Sequence, residues 1–245
     1  MVRIDKSKVG IPAILGEGGK GESATQELIQ HYEAGKRDFK STDFASEIYG
    51  HKTVKSLLMK VQSKKCCFCE RKRPHAREGD VEHFRPKTGF RIKSKSALIK
   101  PGYYWLAYDF SNLFYACKVC NQEYKKNFFP IADETLRARS HQGNWMLEEA
   151  LIIHLEFDNP ADHIEFLAEV AKPKAGSFKG KNTIKLVGLN NSELLKERFT
   201  LFSVLKILAK EARQGNIEAK KYFKKISRKG HQFSLMVRCN FPDLV

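Results

Sequence analysis

Apolar residues recur at helical spacing twice near the start of the chain. In residues 22–35, ESATQELIQHYEAG, the pattern predicts a helix with Ser23 or Thr25 as N-cap and Gly35 as its stop. A second helix is predicted within residues 47–62, EIYGHKTVKSLLMKVQ, its start weakened by Gly50. Further on, LIIHLEF (151–157) and HIEFLAEV (163–170) are apolar runs rich in β-formers, and the turn-like DNPAD between them is compatible with a hairpin. From Asn191, a fair N-cap, the helical period returns, with Leu195, Phe199, Phe202 and Leu205 predicted on one face. A basic helix, IEAKKYFKKIS, follows Gly215. Residues 66–130 follow neither period: a cysteine pair marks each end, and basic and aromatic residues crowd between.

These patterns divide the chain into three segments with no internal repeat. Residues 1–65 read as helical, 66–130 as a compact core, and 131–245 as mainly helical with the candidate hairpin. The fold class expected is α+β. At 245 residues the chain is long enough to bury a core without disulfides. No stretch approaches the ~20 apolar residues of a membrane span. The first residues, MVRIDKSKVGIPAILGEGG, hold no apolar run of signal-peptide length. The expected location is cytoplasmic, where six cysteines point to metal rather than disulfides.

Charge narrows the partner. Lys plus Arg number 44 against 28 Asp plus Glu, a net charge of +16. Between residues 60 and 100 there are 13 Lys or Arg and 4 Asp or Glu. A surplus of this size attracts polyanions, nucleic acid first.

Four short motifs carry the chemistry. Cys66-x-x-Cys69 and Cys117-x-x-Cys120 form two knuckles whose four thiolates suit a closed, structural Zn²⁺ site. The 47 residues between the pairs exceed the spacing of a simple zinc ribbon, so the metal would tie together the ends of an insertion. The competing reading of these residues is four free, buried cysteines. His75 could enter a Cys₃His set, but four cysteines make it unnecessary. Within the insertion, His83 follows Glu82, an arrangement suited to proton abstraction beside a metal. Asn112, between aromatic stretches, has the character of a turn residue that bonds nearby backbone. Asn121 directly follows the second knuckle and is a potential oxygen ligand. Arg85, Lys87, Lys125 and Lys126 are candidates for gripping phosphates.

The order Cys-x-x-Cys, acidic-His, aromatic-x-x-Asn-Leu, Cys-x-x-Cys-Asn resembles the HNH endonuclease family over residues 66–130. More closely, EHFRPK followed by YWLAYDFSNLFYACKVCNQ resembles the HNH nuclease subunits of Septu-type anti-phage systems, which also occur beside some retrons. That resemblance implies a ββα-metal fold, with His83 on the first strand as general base and Asn112 orienting it. Asn121 and Glu82 would bind a catalytic Mg²⁺ or Mn²⁺. The third signature residue is Asn rather than His, and Glu82 stands where many relatives carry Asp. The resemblance also implies an ABC-type ATPase partner and a nucleic-acid substrate, DNA favoured over RNA. Composition alone is equally compatible with a non-catalytic, zinc-braced module that binds nucleic acid or a partner. That alternative does not account for His83, Asn112 and Asn121 in HNH order.

Overall fold

The structure is a computed structural model that describes residues 1–245 apart from Pro74, Ser94 and the side chain of Ala76. It mixes helix and sheet, as the α+β expectation has it. Three helices open the chain: α1 (Lys20–Glu33), α2 (Ser46–Tyr49) and α3 (Lys52–Val61). Gly50 separates α2 from α3, and the His51 side chain caps α3 by accepting from Thr53 N. Helix α1 starts earlier than expected: its N-cap is Gly19, four residues before Ser23 and six before Thr25.

The middle segment is built on an antiparallel pair, β1 (Gly79–His83) and β2 (Leu113–Cys117), in the register Gly79↔Cys117 to His83↔Leu113. Every residue of β2 is buried. Its aromatic and aliphatic side chains pack both faces, so the strand reads as continuously apolar rather than alternating. A side chain at position 79 is sterically excluded, because a Cβ there would lie 2.5 Å from Ala116 O. A π-helical turn, Val119–Lys125, follows β2 directly. The local order is thus strand, strand, helical turn. Gln62, just past α3, zips that helix to β2: its Nε2 donates to Tyr115 O (2.7 Å) and its Oε1 accepts from Tyr115 N (2.9 Å).

The last segment holds a second hairpin, β3 (Ile164–Leu167) with β4 (Val170–Pro173), and four helices: α4 (Phe178–Leu186), α5 (Ser192–Arg213), α6 (Ile217–Ile226) and α7 (Ser234–Asn240). Two expectations are corrected here. The hairpin is displaced along the chain: DNPAD becomes a 3₁₀ turn at Pro160–Asp162, residues 151–157 are not a strand, and the tight turn falls at Ala168 and Glu169. Helix α5 is capped by Asn191 as expected; of its expected inner face Leu205 is buried and Leu195 and Phe202 are half-buried, but Phe199 is not part of it. Leu194, Arg198, Leu205, Ala209 and Ala212 face inward, while Phe199 is 56% exposed.

The largest core draws buried residues from Met1 through Met236 and includes the four knuckle cysteines. A second cluster joins α5, α6 and α7, and a third joins α3 to β2. Among the described residues, no helix is long and apolar enough to cross a membrane.

Candidate active site and metal centre

The knuckles meet as their spacing predicts. Cys66, Cys69, Cys117 and Cys120 are buried, and their sulfurs all lie within 4.8 Å of one another. Cys69 Sγ and Cys117 Sγ are 3.9 Å apart. A tetrahedron with Zn–S bonds of ~2.3 Å requires sulfurs ~3.8 Å apart. The donor set therefore fits a structural Zn²⁺. Cys67 lies outside the group and gives its N–H to Tyr115 O at 3.0 Å.

Two features around these thiols were not visible in the sequence. Glu70, at φ +60° immediately after the first knuckle, is buried and accepts from the Met1 amine (2.7 Å), Lys65 Nζ (2.8 Å) and Ser234 Oγ (2.8 Å). Its carboxyl is held far below the ordinary range by those two cations, against burial, the largest single influence. Arg198 of α5 is 1% exposed; among the described residues it bonds the carbonyls of Leu189 and Leu194 and leaves Nη1 without a partner. Burial lowers its guanidinium to about 10, and Cys69 and Cys120 lead the groups that oppose this.

The second constellation sits at the far end of β1. His83 is buried, with Tyr49 edge-on at 4.8 Å and Nε2 2.9 Å from Ala107 O. A carbonyl only accepts, so Nε2 carries the proton and the lone pair of the neutral ring is on Nδ1. Burial, reinforced by Lys87 and Lys125, pushes the imidazole well below its usual pKa. His83 is therefore neutral at physiological pH.

Asn112 sits in the 3₁₀ turn Phe110–Asn112 that leads into β2. Its Oδ1 accepts from Arg85 N (2.7 Å), and its Nδ2 donates to Arg85 O (3.1 Å) and Leu106 O (3.0 Å). Its own carbonyl accepts from Phe84 N at 2.9 Å. Asn112 thus ties the two residues after His83, Phe84 through its carbonyl and Arg85 through its side chain, to the segment that provides the carbonyl for His83 Nε2. Beneath this turn, Lys6 donates to Phe110 O (2.7 Å) and Ser111 O (2.8 Å), with its ammonium 3.9 Å from the Phe114 ring centre.

Glu82, His83, Lys87 and Asn121 line a common cleft of about 280 Å³ with Lys126 and Asn127 on its rim. Glu82 is buried, and Lys125 Nζ lies 2.5 Å from its Oε1. That ion pair occupies one carboxylate oxygen. Burial pushes the carboxyl up, opposed chiefly by Lys125. A carboxylate and a carboxamide on the same cleft suit a hard cation that retains several waters.

The four basic candidates separate. Lys87 and Lys126 border the cleft. Lys87 lies over the Tyr49 ring at 4.8 Å, has no carboxylate within 4.0 Å among the described residues, and is lowered in pKa by burial. Arg85 is buried: Nε donates to Glu148 Oε2 at 3.0 Å and the guanidinium lies 4.5 Å from the Trp145 ring centre. Lys125 is fully buried between Glu82 and His83 O (3.0 Å). These two are internal struts rather than surface contacts. Their partners Glu148 and Glu82 lie 63 and 43 residues away, so only the fold reveals the pairing.

The chain is 40% identical over 160 residues to the Septu protein PtuB of Bacillus mycoides (strain KBAB4). It is similar to a Septu protein. The matched region covers 65% of this chain and 54% of that one, so the chain spans about half the length of this curated relative. No protein-family profile matches the chain. Septu likeness and the HNH-like motif order were both legible in residues 66–130; the Septu likeness extends well beyond them, because 160 residues exceed that segment.

Proposed function

We propose that this protein is a metal-dependent HNH-type endonuclease that hydrolyses phosphodiester bonds, DNA favoured, in anti-phage defence. The observation that carries the reading is a neutral His83, fixed through Nε2 to a backbone carbonyl, in one cleft with the buried Glu82 carboxylate, Asn121 and Lys87. His83 Nδ1 would take a proton from the attacking water, and it stays unprotonated well into the acid range because burial resists the imidazolium. Asn112 would hold the imidazole in place through the Arg85 backbone. Lys87 would neutralise a non-bridging phosphate oxygen in the cleft, where low dielectric strengthens the contact. Glu82 and Asn121 would hold Mg²⁺ or Mn²⁺, which supplies charge neutralisation at the phosphate and leaving oxygen. The Cys₄ zinc would fix the strand pair from the opposite end. Similarity to a Septu protein supports the defence role, and the sequence resemblance adds an ABC-type ATPase as the partner.

The test is a cleavage time course on supercoiled plasmid and on tRNA, in Mg²⁺, Mn²⁺ or no divalent ion. Wild type and His83→Ala would be compared, each with and without the ATPase. Metal-dependent cutting lost in His83→Ala supports the reading, and the substrate cut names the nucleic-acid class. No cutting under any condition, with nucleic-acid binding retained by both proteins, overturns it in favour of a zinc-braced binding module.

A further inference from the structure

Two stretches far apart in sequence, residues 64–73 and 225–232, meet beside the first cysteine knuckle. The buried ammonium of Lys65 donates to Lys229 O (2.6 Å) and His231 O (2.9 Å), and Lys72 N donates to Gln232 Oε1 (3.0 Å). Arg73 N donates to Lys64 O at 2.7 Å. These bonds bring the exposed side chains of Lys64, Lys72, Lys225, Arg228 and Lys229 to one surface. Among the described residues, none of the five has a carboxylate within 4.0 Å. The adjacent acid, Glu70, is buried and already committed to Lys65, Ser234 and the Met1 amine. His231 registers the cluster: after burial, the charges of Lys72, Lys225, Lys65 and Arg228 depress its imidazole. The surface runs into an open cleft of about 780 Å³ with Lys60 and Lys229 on its rim.

We infer that this surface docks the phosphate backbone of a nucleic acid, as an exosite separate from the His83 cleft. Cations near a helix C-terminus are favoured by its dipole, and that alone accounts for Lys225. It does not account for Lys64 and Lys72, which come from the knuckle, or for Arg228 and Lys229 beyond the helix. Like charges gathered without counter-charges repel one another, and phosphates spaced along a backbone relieve that repulsion while releasing counterions. No base-reading geometry is present in such a surface, so binding there is indifferent to sequence. The five residues of β1, about 14 Å at ~3.4 Å per residue, run from the knuckle end of the sheet to His83. A strand of a few nucleotides spans that length, so the exosite would hold a substrate while the cleft acts on it. The biological sense of the exosite rests on the nuclease reading; its existence does not.

The experiment is fluorescence anisotropy with a labelled 20-base-pair duplex and a 20-nucleotide RNA, without added divalent ion, over a salt series. A Lys72→Ser/Lys225→Ser/Arg228→Ser/Lys229→Ser protein is compared with wild type. A charge-matched control carries Lys181→Ser, Lys185→Ser, Lys206→Ser and Lys210→Ser, all exposed positions elsewhere. The exosite variant is expected to lose more than tenfold in affinity at 150 mM salt. Its slope of log K against log salt should be shallower by up to about 3.6, roughly 0.9 for each of the four phosphate contacts removed on duplex. Equal losses in both variants, or an unchanged slope, overturn the inference. Because binding is read without turnover, failure of the exosite is distinguishable from failure of the cleft, which His83→Ala tests separately.

Discussion

Asn112→Ala should loosen the turn that fixes His83, and the cost follows from the three side-chain bonds to Arg85 N, Arg85 O and Leu106 O. Each is buried and contributes about 1 kcal/mol net, and each leaves a partner unsatisfied, which costs more than the bond itself. Three bonds and a small cavity together predict a loss of about 3–4 kcal/mol, within the 5–15 kcal/mol that domains commonly possess. With an m-value of ~3 kcal/mol/M for a chain of this size, the urea midpoint should fall by roughly 1 M. Asn112→Asp separates hydrogen bonding from space filling. It keeps an oxygen for Arg85 N but places a second oxygen, instead of a donor, about 3 Å from the carbonyls of Arg85 and Leu106. At pH 7 this variant should lose at least as much as Asn112→Ala. Protonation restores one donor, so its deficit relative to wild type should shrink as pH falls toward ~4. On the nuclease reading, both variants lower kcat more than tenfold and leave KM little changed, measured while more than 95% folded. A loss under 1 kcal/mol for Asn112→Ala, or a neutral Asn112→Asp, would refute the clamp.

Removing zinc should cost more than any single side chain, since structural sites supply on the order of 10 kcal/mol. One zinc per chain by elemental analysis is expected, and a strong chelator or Cys120→Ser should produce a cooperative loss of far-UV signal. An unchanged melt would show the thiols to be merely buried. Lys125→Met removes the ammonium 2.5 Å from Glu82 Oε1, which frees that oxygen and takes away one positive charge buried behind the cleft. Mn²⁺ should then raise the melting temperature of the variant more than that of wild type, with tenfold tighter binding by calorimetry; no gain would remove Glu82 from the ligand set. His154, buried against Phe84 and Phe157, is held near 3 by burial. Its folded pKa is depressed, so below ~6.5 the unfolded chain takes a proton that the folded chain refuses, and stability falls with pH. From pH 7 to pH 5 this amounts to about 2 kcal/mol, and His154→Phe should remove that part of the acid sensitivity in paired urea titrations.

The parts of the site that were legible in sequence are those fixed by neighbours in the chain. Two-residue spacing brings each cysteine pair onto one ion, and a capping residue such as Asn191 needs only the N–H groups just after it. Cations were not legible in this way. Arg85 and Lys125 look like Lys87 and Lys126 in the sequence, and whether each is solvated or buried depends on a carboxylate brought from 63 or 43 residues away. The β3–β4 hairpin was misplaced for a related reason. Its turn, Ala168-Glu169, lacks the Asn-Gly or Asp-Gly signal of a tight turn, and Ala168 adopts φ +51° under constraints set elsewhere.

The phase of α5 is the most instructive difference. Residues 194–195, 199, 201–202 and 205 are apolar, so more than one helical face could turn inward, and the expected one carried Phe199. The observed phase leaves Phe199 56% exposed and buries Arg198. Exposing a phenylalanine forgoes roughly 2 kcal/mol, and burying a guanidinium with no ion-pair partner among the described residues costs more. Hydrophobicity does not choose this phase; a charged four-thiolate metal site would. Zn²⁺ with four thiolates carries a formal charge of −2 in a dry interior, and Arg198, held among groups led by Cys69 and Cys120, would be a fixed counter-charge. Arg198→Met should therefore leave a folded protein at saturating zinc that surrenders the metal to a chromophoric chelator at least tenfold faster than wild type. Unchanged release kinetics would mean that the phase of α5 is set by packing against Phe166 and the carbonyls of Leu189 and Leu194 alone.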